Sequence, residues 1–352
     1  MGGQKNSLTD WPDNLKDVID WFLRVAEMDQ GGSGLGNKDN VKKAVSHLTG
    51  FTEATKGLGT FHIEGLFSSV AGALQHLIGY DGTYQLEGKG IGRKDQYTST
   101  YPKSAKWDGG WNAGATEANK VAIIFLGSMP ILYFFVTYLY WKCKQDSAYG
   151  GWDTQTLNTN TSGLNNFMLQ MEFTTSQLSS IKGSEIAKLF ENHSKGFDGL
   201  NGVDKSQHSF EDFLKKLTGK HGETKITNAM QCPLYTLYRA AKAYLESKFQ
   251  NHSAVEGEDN LNEIQNRLLK FKTSCSRSHE LSDEFVKFLN EIKLNTSVTS
   301  TPVENASQLS SSAGAASGSV LGTAALGGTA AALATDVGGI TTTLKSFIPI
   351  FR

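Results

Sequence analysis

The sequence predicts an all-α protein built of helical bundles, with a long aromatic and glycine-rich loop, a helical hairpin and a weakly apolar C-terminal membrane segment. Three observations lead there. Apolar residues near the N-terminus recur at i, i+3, i+4 spacing. Residues 121–141 form one uncharged apolar run. Residues 257–293 carry two amphipathic stripes separated by a polar turn.

The N-terminal bundle spans residues 1–80. Asp10-Trp11-Pro12-Asp13 opens its first helix, because proline in the first turn loses no hydrogen bond. Leu15, Val18, Ile19, Phe22, Leu23 and Val25 form the inward stripe, and Gly31-Gly32-Ser33-Gly34 stops it. A second helix over 37–56 turns Val41, Ala44, Val45 and Leu48 inward. A third over 63–78 carries Leu66, Phe67, Val70, Leu74, Leu77 and Ile78.

Residues 81–112 change character. Gly, Tyr, Ser, Lys and Trp dominate there without periodicity. Long unstructured stretches are uncommon inside compact domains and are often functional. Aromatics among small polar residues are also the composition of adaptable binding loops. A poorly ordered insertion fits the same composition. As a partner-binding surface, the segment offers Tyr84, Tyr97, Tyr101, Trp107 and Trp111 as aromatic anchors.

The central helical domain covers 113–294. Its run at 121–141, flanked by Lys120, Lys142 and Lys144, is long enough to cross a bilayer of roughly 30 Å. It equally suits a core helix buried on all sides, and Pro130 kinks it in either case. Shorter helices follow at 163–171, 184–192 (capped by Ser184), 209–217 and 234–249. The hairpin places Leu261, Ile264, Leu268 and Phe271 against Leu281, Phe285, Phe288 and Ile292. Residues 295–318 have a Ser/Thr/Ala linker composition, and 319–352 begin with a Gly/Ala run of membrane-anchor character interrupted by Asp336.

Composition and chemistry narrow the function. Lys plus Arg number 34 and Asp plus Glu 35, so the net charge of −1 argues against nucleic acid as a partner. No phosphate loop is expected, because Gly88-Lys89-Gly90-Ile91-Gly92 lacks the fixed spacing and the strand–loop–helix context. No nucleophile–base pattern, metal set or cofactor motif stands out, so no enzyme and no cofactor are expected. Cys143, Cys232 and Cys275 allow one disulfide, Cys143–Cys232 or Cys232–Cys275, or else three buried thiols. The N-terminus shows no cleavable signal core. N-x-[S/T] sequons stand at Asn160, Asn192, Asn251, Asn295 and Asn305.

Three passages bear a family likeness: Asn14 through Val25, Leu77 through Gly82, and Ile124 through Met129-Pro130 to Tyr138-Leu139-Tyr140-Trp141-Lys142-Cys143. Gly150-Gly151-Trp152 and Val337-Gly338-Gly339-Ile340-Thr341-Thr342 add to it. In these the chain resembles the variant erythrocyte surface antigens of Babesia parasites. That resemblance implies export to the infected red-cell surface, antigenic variation and adhesion to a host endothelial receptor, without enzymatic activity. It implies a membrane span near the C-terminus, which makes 121–141 a buried ectodomain helix. The alternative is a polytopic or internal helical membrane or scaffold protein in an intracellular parasite membrane. Members of that family are typically longer and richer in cysteine, and they tend to carry a cysteine just before the first helix, where this chain has Trp11. A short chain of this kind could ride on a longer family subunit.

Overall fold

The computed structural model describes residues 3–30, 63–81, 83, 85–107, 115–192, 195–200, 209–220, 232–250 and 258–294. The expected helix at 37–56, the linker and the C-terminal anchor lie outside them. The described part is all-α: α1 Leu15–Val25, α2 Ile63–Ile78, α3 Ala115–Lys144, α4 Gly163–Gln170, α5 Gly183–Asn192, α6 Phe210–Lys220, α7 Pro233–Gln250, α8 Glu258–Ser274 and α9 His279–Glu291. Three short 3-10 turns and a few isolated β-bridges join them.

α3 is the axis. A helix apolar on every face has no side to turn to water, so it must be covered all round. Its aromatics point at a different neighbour on each side. Phe125 meets Phe22 of α1 (5.8 Å between ring centroids) and Phe67 of α2 (5.7 Å). Tyr133 stacks on Tyr238 of α7 at 4.1 Å, and Phe134 packs edge-on against Phe285 of α9. Phe135 stacks on Phe167 of α4, Tyr138 meets Phe210 of α6, and Tyr140 meets Phe190 of α5. Gly127 lets α8 approach, since a Cβ there would sit 3.2 Å from Ile264. Within the candidate span Lys120–Lys144, the most apolar 18 residues have a mean hydropathy of 2.0 and are all buried inside the protein, while the flanking Lys120, Lys142 and Lys144 are part-exposed. The helix runs through Pro130 without a break.

The hairpin forms as expected, with α8 and α9 joined by residues 275–278 and Phe271 packed edge-on against Phe285 at 4.8 Å. Segment 85–107 departs from expectation. It is laid onto the helices and shares one core with them through Leu86, Ile91, Tyr97, Tyr101 and Ala105. The residues divided above at 80 and 112 therefore belong to a single unit, Met1–Val298.

The start of α1 is also corrected. Asn14 is the N-cap, its Oδ1 accepting from the Asp17 N–H at 2.9 Å, and Pro12 lies outside the helix. The residues before it are pinned to α8 instead. Arg267 donates to the Pro12 carbonyl and to Asp13 (3.0 Å) and lies over the Trp11 ring at 5.3 Å. Lys5 donates to the other Asp13 oxygen at 2.6 Å. In α5, Ser184 lies inside the helix, and Glu185 accepts from the Lys182 N–H at 2.7 Å in half of a capping box.

Of the two alternatives left open for the cysteines, the structure has the three buried thiols: Cys143, Cys232 and Cys275 are all free. Each sits near a helix end among apolar neighbours, and burial disfavours the thiolate. It pushes the Cys232 and Cys275 thiols up to about 12, and Cys143 higher still.

Two predictions follow from this packing. Because the thiolate is the nucleophile, iodoacetamide at neutral pH should leave the folded chain unmodified and add three groups after unfolding without reductant, read by intact mass. Fewer than three would mean a disulfide. The second concerns acid stability. Burial alone would raise the Asp13 carboxyl, but Lys5 and Arg267 outweigh it and hold it below the usual carboxylate value. A lowered folded pKa gives stability that is present above the unfolded value and lost as pH falls through the folded one. Asp13→Asn should therefore lower Tm at pH 7 and leave it little changed near pH 2, with a small amplitude because this carboxylate is partly exposed.

Candidate functional site

The site is framed by the segment that the sequence marked as a loop, and its geometry starts at α1. Every residue of α1 is buried, including Lys16, Asp17, Asp20 and Arg24. Charges on a helix face normally meet water; here segment 97–106 answers Lys16, Asp17 and Asp20, and Asp29 answers Arg24. Lys16 pairs with Asp20 at 2.6 Å, with side-chain exposures of 7% and 1%, and also donates to the Thr98 carbonyl. Asp20 accepts from the Tyr97 hydroxyl at 2.7 Å and the Thr100 N–H at 2.9 Å. Asp17 accepts from the Thr100 hydroxyl, and the Tyr101 hydroxyl donates to the Asp10 carbonyl. Arg24 pairs with Asp29 at 2.7 Å. Burial, followed by the neighbouring Asp20 charge, pushes the Tyr97 phenol well above its ordinary value, so it stays a neutral donor.

The glycine run 88–92 anchors the next stretch. The N–H groups of Ile91 and Gly92 donate to the Leu77 and Ile78 carbonyls at 2.8 and 2.9 Å. They thus satisfy carbonyls left open at the C-terminal end of α2. Gly79, at φ 103°, and Gly90 cross backbone on backbone, where a Cβ on either would overlap the other. The Ser179 hydroxyl and N–H close over the Gly90 and Ile91 carbonyls. These glycines serve close backbone approach, and the Ile91 and Gly92 amides that could cradle a phosphate are already used.

Beside these anchored stretches lies an open surface depression, bordered by the exposed side chains of Gln30, Gln85, Glu87, Lys94 and Asp95, with Leu86 and Tyr97 buried beneath it. One wall is a turn in which Asp81 accepts from the Gln85 N–H at 2.7 Å and from the Thr83 N–H and hydroxyl at 2.8 Å. Those bonds, Gln85 first, hold its carboxyl below the usual value. Glu87 pairs with Lys89 at 2.7 Å on the surface. The opposite wall is the turn at 93–97, where Asp95 adopts a left-handed φ of 64°. A cavity beside Arg267, Gln170 and Phe271 measures only about 20 Å³, enough for one water.

The aromatic anchors expected from the sequence do not form one exposed set. Tyr101 is fully buried and Tyr97 is 5% exposed, so both are core residues. Their hydroxyls are tied to Asp20 of α1 and to the Asp10 carbonyl ahead of it, partners that hydrophilic neighbours in sequence do not reveal. Trp107 is half-buried and packs against the core. Tyr84 and Trp111 lie outside the described residues. The sequence reading missed Gln30, Gln85, Lys94 and Asp95; isolated polar residues carry no periodic signal.

The Lys16–Asp20 pair is the test of this framework. Asp20→Ala leaves a buried ammonium uncompensated and should lower stability by about 3–5 kcal/mol in urea unfolding. The Lys16→Met/Asp20→Leu double variant should recover part of that. A single-variant loss under 1 kcal/mol would show that the pair is solvated. In comparison with known proteins, no family model, no curated protein and no solved structure matches this chain.

Proposed function

We propose that the chain is a non-catalytic surface antigen of the Babesia variant erythrocyte type, displayed on infected red cells and adhering to a host endothelial receptor. What supports the reading is where the family-like passages fall. Asn14 through Val25 is α1 with its cap, Leu77 through Asp81 is the glycine crossing at the end of α2, and Ile124 through Cys143 is α3. The first and third passages meet directly at Phe22 and Phe125. Gly150-Gly151-Trp152 closes the end of α3, with the Trp152 N–H donating to the Lys142 carbonyl at 2.7 Å. The residues that carry the likeness are thus scaffold residues, and surface segments between them can change without disturbing the packing. In this reading the membrane is reached through the C-terminal segment or through a longer family subunit.

The alternative, an internal helical membrane or scaffold protein, draws on the length and hydropathy of α3. Enclosure of that helix on every side weighs against its being a membrane span.

A polyclonal antibody raised against the folded chain tests the proposal on intact infected red cells. The expected result is surface staining that is lost after brief trypsin treatment. Staining that needs permeabilisation would replace the proposal with the internal reading.

A further inference from the structure

We propose that Asn160, at the tip of the turn before α4, accepts an N-linked glycan when the chain passes through a secretory lumen. Asn160-Thr161-Ser162 meets the acceptor pattern, with no proline between the asparagine and the hydroxyl residue. The fold places it where such a group fits. Residues 159–162 form a tight turn closed by the Ser162 N–H, which donates to the Thr159 carbonyl at 2.9 Å. Asn160 and Thr161 are the two central residues of that turn, and both are exposed. Among the described residues, the Asn160 side chain takes part in no hydrogen bond or ion pair. The base of the turn is held independently of it. Leu157 is buried, its N–H donates to the Ile181 carbonyl at 2.9 Å, and its carbonyl accepts from the Asn165 side-chain amide at 2.8 Å. A glycan on Asn160 Nδ2 therefore extends into water and displaces no packed group.

The transfer is a substitution. Nδ2 of Asn160 attacks C1 of an oligosaccharide carried on a polyisoprenyl pyrophosphate. The N–C1 bond forms and the C1–O bond to pyrophosphate breaks. The lipid pyrophosphate leaves with the electron pair, and Nδ2 loses one proton. The acceptor pattern also requires the hydroxyl of Ser162. In the folded chain that hydroxyl is already engaged: it accepts from the Asn165 N–H at 2.9 Å as the cap of α4 and donates to the Thr156 carbonyl at 3.2 Å. Transfer therefore precedes closure of the cap, on the emerging chain, and folding then leaves the modified asparagine outside. Of the five sequon asparagines, Asn160 is the one whose side chain lies among the described residues. The inference deepens the surface-antigen reading and rests on it for its biological setting, because display on a cell exterior takes a chain through that lumen. Its chemistry rests on the turn.

The test expresses the full chain behind an added signal peptide in secretory cells and maps the peptide spanning Asn160 by mass spectrometry. A glycan on Asn160 is the expected result. Asn160→Gln should abolish it. Made without the glycan in a bacterial cytosol, Asn160→Gln should match the parent's Tm, because the side chain it replaces bonds to nothing. Ser162→Thr retains both the acceptor pattern and a capping oxygen and should retain the glycan. Ser162→Ala should lose the glycan and also lower Tm, through the cap of α4. Two results would overturn the proposal: an unmodified Asn160 in secreted chain that has folded to the Tm of the cytosolic chain, or a glycan on Asn160 that Ser162→Ala leaves in place. Surface staining of infected cells with Asn160 unmodified in this test removes the glycan site and leaves the antigen reading. A modified Asn160 with staining confined to permeabilised cells does the reverse.

Discussion

The fold depends on one constraint: α3 is apolar on all faces and can be stable in water only when wrapped. All eight other described helices pack side chains against it, α2 through Phe67 and α4 through Phe167 among them. Aromatic pairs of the kind seen at Tyr133–Tyr238 and Phe135–Phe167 add about 0.5–1.5 kcal/mol each beyond the area they bury. Their directionality also fixes where each surrounding helix sits. The polar groups within α3 fit the same logic. Thr137 returns its hydroxyl to the Tyr133 carbonyl one turn back and so asks nothing of its neighbours.

Around that axis the second organising feature is the burial of charge on α1. Removing Lys16 and Asp20 from water is unfavourable, and their mutual attraction offsets it only because Tyr97, Thr98 and Thr100 satisfy the remaining positions. The pair is therefore weak as a source of net stability and strong as a selector of register. Only one placement of segment 97–106 on α1 brings Thr100 to both Asp17 and Asp20. This explains how a stretch without regular secondary structure, rich in Ser, Thr and Tyr, is held in one position.

Much of the fold was readable from the residues. The spacing of Leu66, Phe67, Val70, Leu74 and Leu77 predicts α2, and it is found with the predicted bounds. The hairpin and α3 follow as directly, though length and hydropathy alone could not tell a span from a core helix. What was not readable is long-range. A helix stripe is a local signal, whereas the burial of Tyr97 and Tyr101 depends on partners 77 and 91 residues away, Asp20 on α1 and the Asp10 carbonyl before it. Composition suggested an exposed aromatic loop there, because Tyr has a polar tip and sits as readily against water as against a buried carboxylate. The glycines at 88–92 misled in a related way: their purpose appears only once Gly79 is placed against Gly90. The residues bordering the surface depression were invisible for the opposite reason, since nothing in the neighbouring sequence marks Gln85 or Asp95.

The free, enclosed thiols have a consequence for where this architecture can exist. The described unit holds itself together by packing and hydrogen bonds, with no covalent cross-link among its three cysteines. Its native state is thus indifferent to redox potential: glutathione has no bond to reduce, and an oxidising compartment finds no accessible thiolate to join. A unit built this way asks for no thiol–disulfide chemistry in either a reducing or an oxidising compartment.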